Sequence, residues 1–160
     1  MQNKITFFLE IDPHPQERIR FHFSGWGKRR KISPYLPEKT KVFQNTVRSM
    51  VRQFMADNDL PEYAKLTPIA MEVIFYLKRP KAMPKGRLGP IVRPDLSNYL
   101  KAVEDGLQRA AKDDDAPAMF EDDSAICSIY CEKRYVDEDN PTPGCLVTVY
   151  QYDPSNPNAE

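Results

Sequence analysis

The sequence predicts an α+β (mixed α/β) fold, a single sheet of about four strands with two main helices packed on it. Three observations carry this expectation. Apolar residues alternate with period two in short stretches near the start, middle and end of the chain. They recur at helical spacing in two longer stretches, and the elements follow one another in the order β–α–β–α–β–β. At 160 residues the chain is read as one domain over residues 1–152, with a flexible tail over 153–160.

The elements are justified in order. ITFFLEI, residues 5–11, puts Ile5, Phe7, Leu9 and Ile11 on one face of a strand. Residues 12–36 hold Arg18, Arg20, Lys28, Arg29, Arg30 and Lys31 around Trp26, with Pro and Gly between them, and read as an irregular or hairpin-like basic segment. Over 38–56, Phe43, Val47, Met50, Val51 and Phe54 form the stripe of an amphipathic helix, with Pro37 suited to its first turn. TPIAMEVIFYL, residues 67–77, alternates again. Residues 78–93, KRPKAMPKGRLGPIVR, carry six basic residues, three prolines, two glycines and no acid. Such a segment buries too little apolar surface to fold alone and is expected to be a mobile loop. A second helix is predicted over 95–111, with Leu96, Tyr99, Leu100, Val103, Leu107 and Ala110 as its core stripe and Asp95 as its N-cap. Residues 125–135 form a strand with Ala125, Cys127, Ile129 and Cys131 facing in, and CLVTVYQ forms the last strand.

Charge divides the chain. Residues 18–93 hold 17 Lys and Arg against 5 Asp and Glu, whereas residues 94–140 hold 5 against 13, so a net charge of zero hides a basic half and an acidic half. The basic half suggests a polyanion and the acidic half a divalent cation. The plain alternative is that the two halves pair with each other in the fold. Cys127, Cys131 and Cys145 lack zinc spacing and fit small buried hydrophobes in a reduced compartment. The N-terminal run is broken at Glu10 and reads as a strand, not a signal peptide, which points to the cytoplasm. No segment approaches the roughly 18 apolar residues of a membrane span. No Gly-rich phosphate loop, dinucleotide fingerprint or nucleophile elbow is present, so no nucleotide cofactor and no serine hydrolase chemistry are expected.

Two acidic groups remain. Asp95 alone is explained as a helix cap, and Asp122 and Asp123 as solvated acids before a strand. Together, acids at a helix start and at a strand entrance offer the hard oxygen ligands that Mg²⁺ takes, usually one or two carboxylates plus water and phosphate. Lys101, on the polar face with Ser97, suits charge developing on a phosphate oxygen. The run Asp113–Asp115 reads as solvated loop at a helix end.

RPDLSNYLKAVEDGL followed by FEDDSAICSIYCEKRY resembles the RusA family of Holliday junction resolvases, as do the FYLKRPKAMPKG segment and the basic stretch leading to Tyr35-Leu36-Pro37. The resemblance covers about residues 5–152. It implies a homodimeric, Mg²⁺-dependent endonuclease, with Mn²⁺ an alternative metal, that cuts four-way DNA junctions symmetrically in recombination and repair. It assigns catalysis to Asp95, Lys101 and Asp123 and metal binding to Asp95, Asp122 and Asp123. DNA backbone would be held by Arg18, Arg20, Lys28, Arg29 and Arg30 and by Lys78, Lys81, Lys85 and Arg87. Ser97 stands where the family pattern has a second acid, and Asp105 matches a further acid. An active junction nuclease and a junction-binding relative that has lost catalysis through Ser97 are the two readings this leaves. A third is a domain that binds no nucleic acid, its acidic half docked on its basic half or on a protein partner.

Overall fold

The computed structural model describes residues 4–84, 86–87, 89–110 and 115–155. Strands β1 (Ile5–Leu9), β4 (Ile69–Leu77), β5 (Ile126–Tyr135) and β6 (Gly144–Gln151) form one sheet in the order β1-β6-β4-β5. β1 and β6 pair antiparallel, as do β6 and β4, while β4 and β5 are parallel. Helices α1 (Glu38–Asp57) and α2 (Leu96–Leu107) cover one face, and α2 is the crossover between the parallel strands. Strands β2 (Arg20–Ser24) and β3 (Lys31–Tyr35) form a separate two-stranded hairpin.

Alternation builds the core. Phe7 and Leu9 of β1, Ile69, Met71, Val73 and Phe75 of β4 and Cys145, Val147 and Val149 of β6 all point to the helical face, where each is buried. Phe43, Val47, Val51 and Met55 of α1 meet Tyr99, Ala102, Val103 and Leu107 of α2 there. Gly106 lets the two helices close up, since a Cβ on it would stand 2.6 Å from a Val47 methyl. The opposite face carries polar partners such as Thr6 and Thr148, which share a 2.9 Å hydrogen bond across β1 and β6.

Two expectations change. α2 stops at Leu107, not near residue 111, because the chain beyond it pairs with a later segment: Met119 N donates to Leu107 O and Arg109 N to Phe120 O. Ala110 therefore lies beyond the helix, and Ala111 and Asp113–Asp114 fall outside the described residues. β5 is an edge strand, so Cys127 is exposed and Ile129 is 43% exposed, although both were expected to face in. Cys131 does pack on the core, where burial pushes its thiol up to about 11, and Cys145 is fully buried. Most of the tail, from Asn156 on, lies outside the described residues.

Candidate active site

The acids and the lysine meet on one stripe of α2. Ser97, Lys101 and Asp105 are spaced i, i+4, i+8 and so share a face of the helix. Lys101 Nζ lies 2.8 Å from Asp105 Oδ1 and also donates to Asp123 Oδ2. Burial works against the Lys101 charge, but the hydrogen bonds and charges of Asp105 and Asp123 outweigh it and hold the ammonium pKa above its ordinary value.

Asp105 is held from three directions. Besides Lys101, Gln44 Nε2 reaches Asp105 Oδ2 at 2.9 Å and Gln108 Nε2 reaches Oδ1 at 3.3 Å. Gln44 is itself buried, and its amide is shared with Gln16 Oε1 at 3.3 Å. Gln108 Oε1 then accepts the Asp123 amide at 3.0 Å, so a single glutamine ties the end of α2 to the entrance of β5. Arg48 donates to the Asp105 carbonyl at 2.8 Å. A cavity of about 560 Å³ opens beside this cluster, lined by Gln44, Asp105, Gln108 and Asp122 among others. Sequence reasoning missed Gln44 and Gln108. The signal for Gln44 was present: Thr40 and Gln44 interrupt the apolar face of α1, and both are buried.

Asp122 and Asp123 enter β5 through a short 3-10 turn, Asp123–Ala125. Asp122 caps this turn, accepting from Ser124 N at 2.9 Å, and the Ser124 hydroxyl and amide hold its carboxyl below the usual range. Asp95 is the N-cap residue of α2, but its side chain makes no capping bond and it is exposed. Lys101, whose ammonium reaches the Asp123 carboxylate, is six residues on from Asp95, about 9 Å of helix. The structure brings Lys101, Asp105 and Asp123 together. Among the described residues no three His, Cys, Asp or Glu side chains form a group that could hold a metal ion. Asp122 and Asp123, adjacent at the β5 entrance, offer the one or two carboxylates that Mg²⁺ commonly takes, and with Asp95 they do not form such a three-acid group among the described residues.

Lys133 of β5 reaches the start of α2. Its ammonium donates to Val92 O at 3.0 Å and Pro94 O at 3.1 Å, and so fixes the entry to α2.

The basic segments differ in how free they are. Every residue from Arg18 to Tyr35 is exposed. Lys28, Arg29 and Arg30 stand at the hairpin turn, and Arg20 pairs with Glu17 at 3.1 Å. In the 78–93 loop, which holds no acid of its own, Lys78 is paired with the distant Asp12 at 2.6 Å. Arg79 lies over the Tyr135 ring and donates to Arg87 O at 3.4 Å. Lys85 falls outside the described residues. Among the described residues no helix is long and apolar enough to cross a membrane.

The family model of endodeoxyribonuclease RusA matches residues 10–149. The chain belongs to the RusA family. It is also similar to the uncharacterized protein YqaN of Bacillus subtilis (strain 168), at 29% identity over 144 residues, which span 84% of this chain and 89% of that protein. RusA membership supports an endonuclease of the Holliday junction resolvase type. The two helices on a mixed sheet are consistent with a RusA-like fold, and Lys101, Asp122 and Asp123 all lie within the RusA match.

Proposed function

We propose that the protein is a metal-dependent endodeoxyribonuclease that binds four-way DNA junctions and hydrolyses two equivalent strands as a homodimer. The observation that carries this reading is the Lys101 ammonium between Asp105 and Asp123, in a chain of the RusA family. Asp122 and Asp123 are the carboxylates that would hold Mg²⁺, or Mn²⁺ in its place. A bound divalent cation supplies charge neutralisation at the phosphate and activation of water for in-line attack.

The chain's own residues do the rest. Lys101, held by Asp105, presents a fixed positive charge where the phosphate oxygens gain charge. Gln44 and Gln108 keep Asp105 and the β5 entrance in register, so that this charge is preorganised before DNA arrives. The hairpin and the 78–93 loop supply backbone contacts without reading sequence. A two-fold dimer matches a junction with two equivalent scissile strands.

The test is a nuclease assay on a labelled four-way junction with and without Mg²⁺, with a linear duplex as control. Paired cuts on the junction alone, only with metal, support the reading; no cleavage under any metal removes it as an active enzyme. Asp95→Asn tests the remaining assignment of Asp95. Suppressed cleavage with junction binding intact keeps Asp95 in the reaction, and full activity removes it. A second reading, a junction-binding relative with weakened catalysis, is favoured by the neutral Ser97 on the Lys101 stripe, where the family pattern carries an acid.

A further inference from the structure

A second cavity, of about 290 Å³, lies at the other end of α2, between the ends of β4 and β5 and the 78–93 loop. Its walls include Tyr99 and Tyr135, Pro13, Pro80 and Pro90, and Val92. Both tyrosines are 6% exposed. The Tyr135 hydroxyl is buried and has no hydrogen-bond partner among the described residues. An orphaned buried hydroxyl is costly in a finished core, and Tyr135 is one of the residues lining this cavity, so a polar ligand atom entering it would give the hydroxyl a partner.

The rim is basic. Arg93 and Lys78 line the opening, Lys78 with its partner Asp12, and Arg79 stands over the Tyr135 ring at 4.9 Å from the centroid. The cavity adjoins the first turn of α2, where Tyr99 N donates to Asp95 O.

We propose that this cavity takes one unstacked nucleobase from the branch point of the DNA, with the flanking phosphates on Arg93 and Lys78. This inference rests on the reading of the protein as a junction-binding nuclease and deepens it, adding a site that reads a base where the basic loops read only backbone. The chemistry fits a base better than a phosphate or an aliphatic side chain. Aromatic and proline walls stack on a flat ring, the orphaned hydroxyl meets a polar edge, and the cationic rim holds the sugar–phosphate chain on either side. Bases at the open centre of a four-way junction have already lost part of their stacking, which lowers the cost of extruding one.

The test is a protein–DNA cycle read by fluorescence anisotropy with Ca²⁺ in place of Mg²⁺. Junctions carry a single abasic nucleotide at each position flanking the branch point in turn, and the proteins are wild type, Val92→Phe and Tyr135→Phe, each checked for folding by circular dichroism. Val92 is half exposed, so a phenyl ring there fills the cavity with little demand on the core. At one position the abasic junction is expected to bind wild type on the order of tenfold more weakly, the effect of losing one stacked base. Val92→Phe should bind the intact junction correspondingly less well and show no further loss with the abasic one. Tyr135→Phe, with its shape preserved, should lose preference among bases at that position. Equal abasic losses in wild type and Val92→Phe, or no sensitive position at all, would overturn the cavity's role. Binding to the intact junction no tighter than to linear duplex would instead remove the parent reading, and that is measured before any base is deleted.

Discussion

Lys101 is the residue on which the centre turns. Two carboxylates hold its ammonium at a fixed place on α2. Lys101→Met is expected to lower junction cleavage by about 10²-fold or more, the usual effect of losing one preorganised charge at a transition state, while junction affinity changes little. Equal losses in cleavage and affinity would make Lys101 a binding residue instead. Ser97 lies one turn before Lys101 on the same stripe. Ser97→Asp adds a carboxylate there and is expected to lower the Mg²⁺ concentration for half-maximal cleavage. A variant unchanged in both metal requirement and rate would show that Ser97 faces away from the reaction. At this scale the sequence named Lys101, Asp105 and Asp123 through spacing and motif. It did not show that Asp105 and Asp123 both bind the Lys101 ammonium, since motif spacing does not fix which side chains pair across the fold. Nor did it show Lys78 paired with Asp12, a contact between residues 66 apart in the chain.

Elements were legible where periodicity decided them. α1 and the strands around it follow their apolar patterns closely, because each buries one face against the same core. α2 is shorter than its pattern because the backbone groups past Leu107 find partners in the 119–120 segment, and a distant pairing overrides local helical preference. β5 reads as an inward-facing strand but lies at the sheet edge, and strand order is not written in alternation. On α2, Glu104 is half-buried, and burial, with Asp123 and Asp105 adding to it against Lys101, raises its pKa. A raised folded pKa means that the folded state holds the proton more tightly than the unfolded chain. Ionised Glu104 therefore opposes folding at neutral pH, and this cost sets in as pH rises from about 4.3, the ordinary glutamate value, through the raised one. Glu104→Gln should raise Tm at pH 7 in metal-free protein, and the gain should vanish below about pH 4. A lower Tm at pH 7 would mean that the Glu104 carboxylate makes a favourable interaction the pKa does not reflect.

Across the whole molecule, the charge division of the sequence maps onto place. The acids of residues 94–140 that matter gather at α2 and the β5 entrance, and the basic excess is carried on the hairpin and the 78–93 loop. The alternative in which these halves pair is met locally, by links such as Lys65 to Glu121. Junction binding should therefore weaken steeply with salt. Each phosphate contact on duplex DNA contributes about −0.9 to the slope of log K against log salt. Replacing Lys81, Lys85 and Arg87 together should flatten that slope by about two to three units, and replacing Lys28, Arg29 and Arg30 should do the same if the hairpin shares the backbone. A slope that responds to one triple alone assigns the DNA path to that segment.

The hairpin has a consequence of its own. Its paired residues Phe21 with Pro34 and Phe23 with Ile32 share one side, and Arg20 with Tyr35 and His22 with Ser33 the other, yet no residue of either strand is buried. A two-stranded ribbon without a packed face is marginal in water. Its opening should thus be independent of global unfolding, and amide hydrogen exchange would report it. The backbone amides that bridge β2 and β3 should lose protection at a small fraction of the free energy that protects β4, which lies between β6 and β5 in the sheet interior. Addition of four-way junction DNA should slow exchange in the ribbon far more than in β4. Part of the binding energy then goes into ordering the ribbon, so affinity should rise if the two strands are cross-linked in advance.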